Sequence, residues 1–150
     1  MKIGNYMAFL NMIAFAEGTI KYGNQRGYDV LVGGGLFTDM SKHPNARIYL
    51  PRYKIYSSAA GRYQFLFRTW EVFRKRHKLP DFGPASQDQA CIEQLRECGS
   101  LEALDRGDFR TAVVRACKIW ASLPGAGYGQ REVKIAALEK IYRDSGGVIA

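Results

Sequence analysis

The sequence has no apolar run long enough to cross a membrane. A spanning helix needs roughly 18 consecutive apolar residues, and the very apolar stretch Tyr6–Ala16 ends at Glu17. A signal peptide would carry several early positive charges and a small-residue cleavage site, whereas Lys2 is the only early charge here. The sequence alone therefore predicts a chain made in the cytosol, without stable membrane insertion.

Cysteine and histidine are both scarce. The three cysteines form no CxxC pair, and Cys91 and Cys98 lie seven positions apart on a predicted helix. Their Cα atoms would be about 10 Å apart, which is too far for a disulfide. Cys117 and the two histidines, His43 and His77, do not have the spacing of zinc ligands. We therefore expect reduced thiols, no metal and no cofactor.

Acidic residues are few relative to basic ones. The chain has 22 Lys and Arg against 14 Asp and Glu, for a net charge of +8. Such a field favours a polyanionic partner, and both nucleic acid and a bacterial wall with its carboxylates fit this description. With 150 residues and 47% hydrophobic content, the chain is long enough for a real core, and we predict a single domain over residues 1–150.

A single carboxylate ends the apolar N-terminal helix. At helical spacing Tyr6, Leu10, Ile13 and Glu17 share one face, so Glu17 continues a stripe that should face the core. Glutamate is rarely buried without a partner. A desolvated carboxyl keeps its proton near neutral pH and can act as a general acid. The alternative is a frayed, exposed helix end with Gly18 as its C′ cap.

Residues 28–56 have the character of a small, irregular β region. Strand-like fragments occur at Tyr28–Val32, Ile48–Leu50 and Lys54–Tyr56. Gly33–Gly35 is not followed by the Gly-Lys-Ser/Thr of a phosphate loop, so it predicts a tight strand connection instead.

The remainder of the chain is predicted to be helical from Ser58 onward, around an apolar stripe that contains Tyr63, Leu66, Phe67, Trp70 and Phe73. Further helix signals are a capping box at Ser86–Gln89, a short turn around Leu101 and Leu104, an N-cap at Asp108 and an apolar run at Val133–Tyr142.

Two glycine-containing stretches have the composition of a saccharide cleft. Ser57–Gln64 and Gly127–Gln130 combine small residues, which let a polymer approach the backbone, with Tyr and Gln. Aromatic rings stack on sugars and amides hydrogen-bond to their hydroxyls. With Glu17 as the acid, these residues outline a site that cleaves a polysaccharide.

These stretches, together with further blocks along the chain, resemble the lambda-type phage endolysins, the lambda lysozyme family of lytic transglycosylases. The resemblance covers nearly the whole length of the sequence. The blocks that carry the resemblance are Ala16–Thr19, Gly27–Val30, Gly33–Gly34, Leu36–Asp39, His43–Pro44, Ala60–Gln64, Leu79–Phe82, Ser86–Asp88, Asp105–Asp108 and Trp120–Gln130. The chain departs from the family pattern at Met40 and Lys42, and its segment Asn45–Tyr56 is divergent and more basic.

The resemblance implies an α+β, lysozyme-like fold, with a small sheet lobe and a mostly helical lobe on either side of a substrate cleft. It also implies cleavage of the β-1,4 bond between N-acetylmuramic acid and N-acetylglucosamine. Glu17 would protonate the glycosidic oxygen and then take the proton of the muramyl 6-hydroxyl, which closes a 1,6-anhydro ring.

The resemblance and the residue types together assign the remaining site positions. Ser58, Tyr63, Gln64, Tyr128 and Gln130 are expected to bind substrate, and Asp29 and Gly61 to support the site. Three alternatives stay open: Tyr63 packs in the core, Ser58 starts a helix, and Asp29 is the second carboxylate of a hydrolytic muramidase. Asp39 is another candidate for that second carboxylate.

The expected partner is the peptidoglycan glycan strand, not nucleic acid. From the resemblance, a monomeric endolysin would collect in the host cytoplasm and reach the wall after a holin opens the inner membrane, so that the host lyses. The competing function from another class is a basic nucleic-acid-binding module.

Overall fold

The computed structural model describes residues 2–21, 26–125 and 132–150. In these ranges it contains six helices and one two-stranded antiparallel sheet: α1 (Lys2–Glu17), β1 (Ile48–Leu50), β2 (Ile55–Ser57), α2 (Phe67–His77), α3 (Pro84–Glu97), α4 (Ser100–Asp105), α5 (Phe109–Ala116) and α6 (Ile135–Asp144). The chain forms two compact units. We call Met1–Glu17 with Cys91–Ala150 the terminal unit, and Gly18–Ala90 the central unit.

The terminal unit is built on α1, which is apolar on most of its circumference and correspondingly buried. Helices of this kind need partners on several sides, and α1 packs against α4 and α6. The ring of Phe9 meets those of Phe109 and Tyr142 edge-on, with centroids 6.2 and 6.3 Å apart. The buried side chains of α1 are Ala8, Phe9, Leu10, Met12, Ile13, Ala14 and Ala16.

Two helix boundaries in this unit follow directly from local sequence. The Asp108 carboxylate accepts a hydrogen bond from the Thr111 backbone N–H at 3.1 Å, so the predicted N-cap of α5 is confirmed. At the end of α1, Gly18 adopts a left-handed conformation with φ of +74°. Glycine does this without a Cβ penalty, so the chain turns immediately after Glu17.

The central unit is organised around the ring of Phe82, which is completely buried. Trp70 meets it nearly perpendicularly at a centroid distance of 4.6 Å, and His43 lies at 4.8 Å. Phe37 and Phe65 complete the cluster at 5.8 and 6.5 Å. Edge-to-face packing of this kind adds to the free energy gained by burial, so the cluster fixes the loops that surround it.

The sheet is a single hairpin in which Ile48 pairs with Ser57, Tyr49 with Tyr56 and Leu50 with Ile55. Both strands lie within one residue of the predicted fragments. The predicted strand at Tyr28–Val32 is shorter than expected. It contributes only isolated bridges, such as that from Val30 to Leu36.

Two predicted helix starts are wrong. The chain is not helical from Ser58: Gly61 and Gln64 have φ of +85° and +54°, which no helix allows, and α2 begins only at Phe67. The second error is the capping box, since α3 begins at Pro84, two residues before Ser86. Proline is favoured in the first helical turn because its missing N–H has no helical partner there.

Three observations concern membrane-spanning helices, metal ligands and cysteine thiols. Across the described ranges, no helix is both long and apolar enough to span a bilayer, and no group of three or more His, Cys, Asp or Glu side chains is arranged to hold a metal. All three cysteines are free thiols.

Candidate active site

Glu17 is the last residue of α1 and is only partly exposed to solvent. Its position follows from the apolar helix before it, because Leu10 and Ile13 on the same face are completely buried. The stripe therefore draws the carboxyl toward the interior, as its spacing predicts, while Gly18 ends the helix directly behind it. The frayed, fully exposed helix end that we considered as an alternative is not observed.

Burial raises the pKa of the Glu17 carboxyl from its ordinary value near 4.5 to about 7. Removing a carboxylate from water penalises its charged form, so the proton is held at higher pH. The Ser122 hydroxyl acts in the opposite direction and lowers the pKa, but its effect is smaller. Glu17 therefore retains its proton at a pH where an exposed carboxyl has lost it.

Ser122 was not among the predicted site residues. It lies in the segment after α5, and its backbone carbonyl accepts a hydrogen bond from Val133 N–H at 2.8 Å. Its Oγ is buried and makes no hydrogen bond of ordinary geometry to a described residue. Its contact with the Glu17 carboxyl is thus weaker than an ordinary hydrogen bond, which agrees with its small influence on that pKa. Only its place in the Trp120–Gln130 block hinted at a role.

The central unit holds a second carboxylate in very different surroundings. Asp88 Oδ1 accepts hydrogen bonds from the hydroxyls of Tyr63, at 2.5 Å, and Tyr28, at 2.9 Å. The Arg62 guanidinium donates to the Tyr63 hydroxyl at 2.9 Å and stands 5.3 Å from the Tyr28 ring centre. This connected network of phenols and a cation satisfies Asp88 Oδ1 and ties the Ala60–Gln64 block to α3.

Gly61 and Gln87 fix the position of this network. The Gln87 Oε1 accepts from Arg62 N–H at 2.9 Å, and its amide donates to the Tyr28 and Phe82 carbonyls. A Cβ at Gly61 would stand only 2.4 Å from Gln87 Oε1. Glycine is required here both for its positive φ and for this close approach, which gives the predicted supporting role of Gly61 a structural reason.

Tyr63 is completely buried, so it has no surface on which a sugar could stack. Its expected role in substrate binding is wrong, and the packing alternative holds, because its ring meets Tyr28 and Phe65 edge-on. Phe65 and the network around Asp88 keep it inside. The apolar periodicity that includes Tyr63 signalled burial correctly but assigned it to the wrong element.

Gln64 and Ser58 are half-buried. The Gln64 amide nitrogen donates to the carbonyls of Gly61, at 2.9 Å, and Val30, at 3.3 Å. The Ser58 hydroxyl oxygen accepts from Phe67 N–H at 3.0 Å, so Ser58 does satisfy the first turn of a helix, although that helix starts nine residues later. Substrate contacts through the remaining surface of either side chain stay predictions.

Asp29 is 7% exposed, and its Oδ1 has no hydrogen-bond partner among the described residues. Because so little of the Asp29 side chain is exposed, this carboxylate is poorly placed to attack a sugar. Asp39 is exposed, and its Oδ1 accepts from the backbone N–H and the hydroxyl of Ser41, which lower its pKa. The supporting role of Asp29 remains a prediction. Tyr128 and Gln130 lie outside the described residues.

His43 is held as a neutral ring. Its Nε2 lies 2.8 Å from the Phe65 carbonyl and must donate, while its Nδ1 accepts from Asn45 N–H at 3.0 Å. Burial lowers its pKa. A histidine with both nitrogens committed inside the fold has no proton to exchange with a substrate.

The sequence is similar to known proteins over most of its length. The sequence profile of the endolysin family matches residues 7–149. The chain is 49% identical to the endolysin of Escherichia phage lambda, over 95% of this chain and 91% of the relative. It is 44% identical to the endolysin of Escherichia phage P2, over 97% and 95%.

Solved structures give the same result. Bacteriophage lambda lysozyme complexed with a chitohexasaccharide superposes with a TM-score of 0.94 at 46% identity, covering 98% of this chain and 97% of that one. A second lysozyme structure from bacteriophage lambda gives 0.90 at 45% identity, with the same coverage. The predicted α+β, lysozyme-like fold is thus confirmed. The chain belongs to the endolysin family.

Proposed function

We propose that this protein is a phage endolysin that degrades peptidoglycan as a lytic transglycosylase, with Glu17 as its single acid and base. The observation that carries the proposal is the Glu17 carboxyl, which retains its proton to a pH of about 7. A general acid works best when its pKa is close to the operating pH. The lambda lysozyme that this chain resembles was solved with a chitohexasaccharide, which supports a chain of β-1,4-linked N-acetylhexosamines as the substrate.

In the first step, protonated Glu17 donates to the oxygen that joins N-acetylmuramic acid to N-acetylglucosamine. The C1–O bond breaks, and the muramyl C1 takes on oxocarbenium character. The apolar end of α1 favours this step, because it disfavours the charged form of the carboxyl before the transfer and makes it a stronger base afterwards.

In the second step, the Glu17 carboxylate takes the proton of the muramyl 6-hydroxyl as that oxygen bonds to C1. A 1,6-anhydro ring closes, Glu17 regains its proton, and no water is consumed. One carboxyl therefore serves both steps. A hydrolytic muramidase would need a second carboxylate beside the bond, and the burial of Asp29 disfavours that alternative.

The products distinguish the two reactions. Purified sacculi are digested in water enriched in heavy oxygen, and the released muropeptides are analysed by mass spectrometry. We expect anhydro ends, lighter by one water than reducing ends and free of the label. Labelled reducing ends would establish hydrolysis and return Asp29 to the mechanism. A nucleic-acid-binding module would release no muropeptides.

The matched variants are Glu17→Gln and Glu139→Gln. The amide at position 17 has no proton to give, so we expect loss of roughly 10³-fold or more in the rate of muropeptide release. Glu139 is on α6, where it accepts from Arg143, and its change should leave the rate within a factor of two, a small effect typical of surface positions. Near-wild-type activity of Glu17→Gln would remove this residue from the mechanism.

We also propose that the protein acts as a monomer, and that it collects in the host cytoplasm until a holin opens the inner membrane. Expression with and without a co-expressed holin tests the route. Lysis should follow only when both are present, and lysis without a holin would overturn the proposed dependence. Sedimentation equilibrium tests the oligomeric state, and a mass above that of one chain would contradict the proposed monomer.

A further inference from the structure

The β1–β2 hairpin exposes an unusual share of aromatic surface. Tyr49 and Tyr56 are 47% and 60% exposed, Tyr53 in the turn is 37% exposed and Ile55 is 48% exposed. Two-stranded hairpins are marginally stable by themselves, and contiguous exposed apolar side chains mark interaction sites. Residues Arg47–Tyr56, which we call the basic hairpin surface, therefore have the character of a binding surface.

Three cations share this surface with the tyrosines. The Arg47 guanidinium stands 5.3 Å from the Tyr56 ring centre, and that of Arg52 stands 5.5 Å from the ring of Tyr53. Lys54 lies in the turn. The sequence has no Asp or Glu between positions 39 and 71, so the hairpin supplies no carboxylate of its own to neutralise them.

The cation–π contacts pre-organise the two arginines for a planar acceptor. Tyr49 and Tyr56 are paired across the strands with ring centroids 5.1 Å apart, and Arg47 extends that row. A guanidinium held near a ring by a cation–π contact keeps N–H groups available, and a carboxylate can accept from two of them at once. Less side-chain entropy is lost on binding because the arginine is already held.

We propose that the basic hairpin surface binds the carboxylates of the peptidoglycan stem peptides, and so favours peptide-bearing glycan over uncharged polysaccharide. The proposal rests on the function proposed above, because it concerns the same polymer. Charge complementarity supports it: the surface is wholly cationic, and each stem peptide carries free carboxylates. The amphipathic tyrosines supply contact area beside each charge.

An anionic lipid surface is a poorer match for this hairpin. Sequence segments that bind acidic lipids carry clusters of about 4–8 Lys and Arg, whereas residues 47–56 hold three, separated by tyrosines. Tyrosine hydroxyls and guanidinium edges suit discrete carboxylates better than a continuous apolar phase.

The test compares binding to two preparations of purified sacculi. Both are N-acetylated to block amines, and in one the carboxylates are then converted to neutral methylamides. Full-length protein with Glu17→Gln is used so that the wall stays intact, and bound protein is measured by co-sedimentation at low salt. The hairpin variant adds Arg47→Gln, Arg52→Gln and Lys54→Gln.

On carboxylate-bearing sacculi we expect the hairpin variant to bind roughly 10-fold more weakly than its parent, as three exposed ion pairs allow. Conversion of the carboxylates to methylamides should weaken binding of the parent to a similar extent and leave binding of the hairpin variant nearly unchanged. Added salt should reduce the difference between parent and variant, because exposed pairs are screened.

The control variant removes three exposed cations elsewhere, through Arg68→Gln, Lys75→Gln and Arg110→Gln. Its net charge equals that of the hairpin variant, so a specific surface predicts a clearly smaller loss of binding. Equal losses would overturn the proposal in favour of a general charge effect. Circular dichroism and thermal melting show whether all variants are folded.

Two further outcomes overturn the proposal. If the hairpin variant loses the same affinity on methylamidated sacculi, the hairpin contacts sugar rings and not carboxylates. If it binds sacculi normally but no longer binds vesicles of phosphatidylglycerol, the partner is a lipid surface. Digestion of the sacculi by the Glu17→Gln parent would count against the proposed mechanism of cleavage and leave the binding comparison unaffected.

Discussion

Glu17 and Asp88 are both partly buried carboxyls, and their hydrogen-bonding surroundings differ. Asp88 accepts two phenol hydrogen bonds, and the Arg62 guanidinium bonds to one of these phenols. Among the described residues, Ser122 is the one side chain that acts on the pKa of Glu17, and burial outweighs it. One carboxyl is held by donors, and the pKa of the other is determined mainly by burial.

The difference shows how a fold separates a structural acid from a reactive one. Donors and a nearby cation stabilise the charged form of a carboxyl, whereas desolvation stabilises the protonated form. The Asp88 carboxylate serves as a hydrogen-bond acceptor that connects the segments around it. The environment of Glu17 leaves a proton that can be given away near neutral pH, and it does so at a cost in stability.

The largest expected effect is on the stability of the backbone beside the Asp88 network. Gly61→Ala places a Cβ 2.4 Å from Gln87 Oε1 at a φ of +85°, so we expect a loss of about 4 kcal/mol in the free energy of unfolding. Gly33 has a similar φ of +88° with no atom within 4 Å, so Gly33→Ala should lose only about 1 kcal/mol. Urea unfolding measures both, and equal losses would show that the contact with Gln87 is not tight.

The next effect is the cost of desolvating Glu17. The folded state holds its proton up to a pH of about 7, while the unfolded state releases it near 4.5, so stability falls as pH rises through this window. The free energy of unfolding should fall by about 3 kcal/mol relative to that of Glu17→Gln. Unfolding curves at pH 4 and pH 8 measure it. The difference between the two proteins removes contributions from other groups, and no change in it with pH would contradict the raised pKa.

A smaller effect is expected from the phenol network. Tyr63→Phe removes the donor to Asp88 and the acceptor for Arg62, and we expect a loss of about 2 kcal/mol in stability. Tyr28→Phe removes one donor from a half-buried ring and should cost about 1 kcal/mol. The pH dependence of kcat should be unchanged in both variants. A shifted profile would mean that Tyr63 acts on the reaction and is not only a packing residue.

The smallest expected effect is a shift in the pKa of Glu17. Ser122→Ala removes the hydroxyl that lowers the Glu17 pKa, so the alkaline limb of the kcat profile should move to higher pH by a fraction of a unit. Ser145→Ala, at the end of α6, should leave the profile in place. A shift to lower pH would show that the hydroxyl favours the protonated form.

Much of the terminal unit was predictable because its signals are local. The apolar run before Glu17 and the acceptor at Asp108 each determine structure within one or two turns. The raised pKa followed from the same pattern, since a carboxyl on a buried stripe loses water whatever covers it. Ser122 was not predictable because more than 100 residues separate it from Glu17 in the chain.

The central unit was harder to predict because its backbone depends on distant partners. Residues 58–66 have helical apolar spacing, yet Ala60 pairs with Leu31 and Phe65 instead. The Ser86 hydroxyl, expected to cap α3, donates to Asp81 at 2.9 Å, and Asp81 also accepts from Gly83 N–H. The local pattern indicated a start at Ser86, whereas its hydroxyl is used by Asp81 and the helix begins at Pro84.

The terminal unit is discontinuous in the chain, and this affects the order in which the protein can fold during synthesis. α1 leaves the ribosome before its partners α4 and α6, which begin at Ser100 and Ile135. At 5–20 residues per second the nascent chain exposes this apolar helix for on the order of ten seconds, while Gly18–Ala90 is already complete. The segment that ends in the proposed catalytic acid is therefore made well before the helices that enclose it, and its apolar side chains are open to chaperones during that interval.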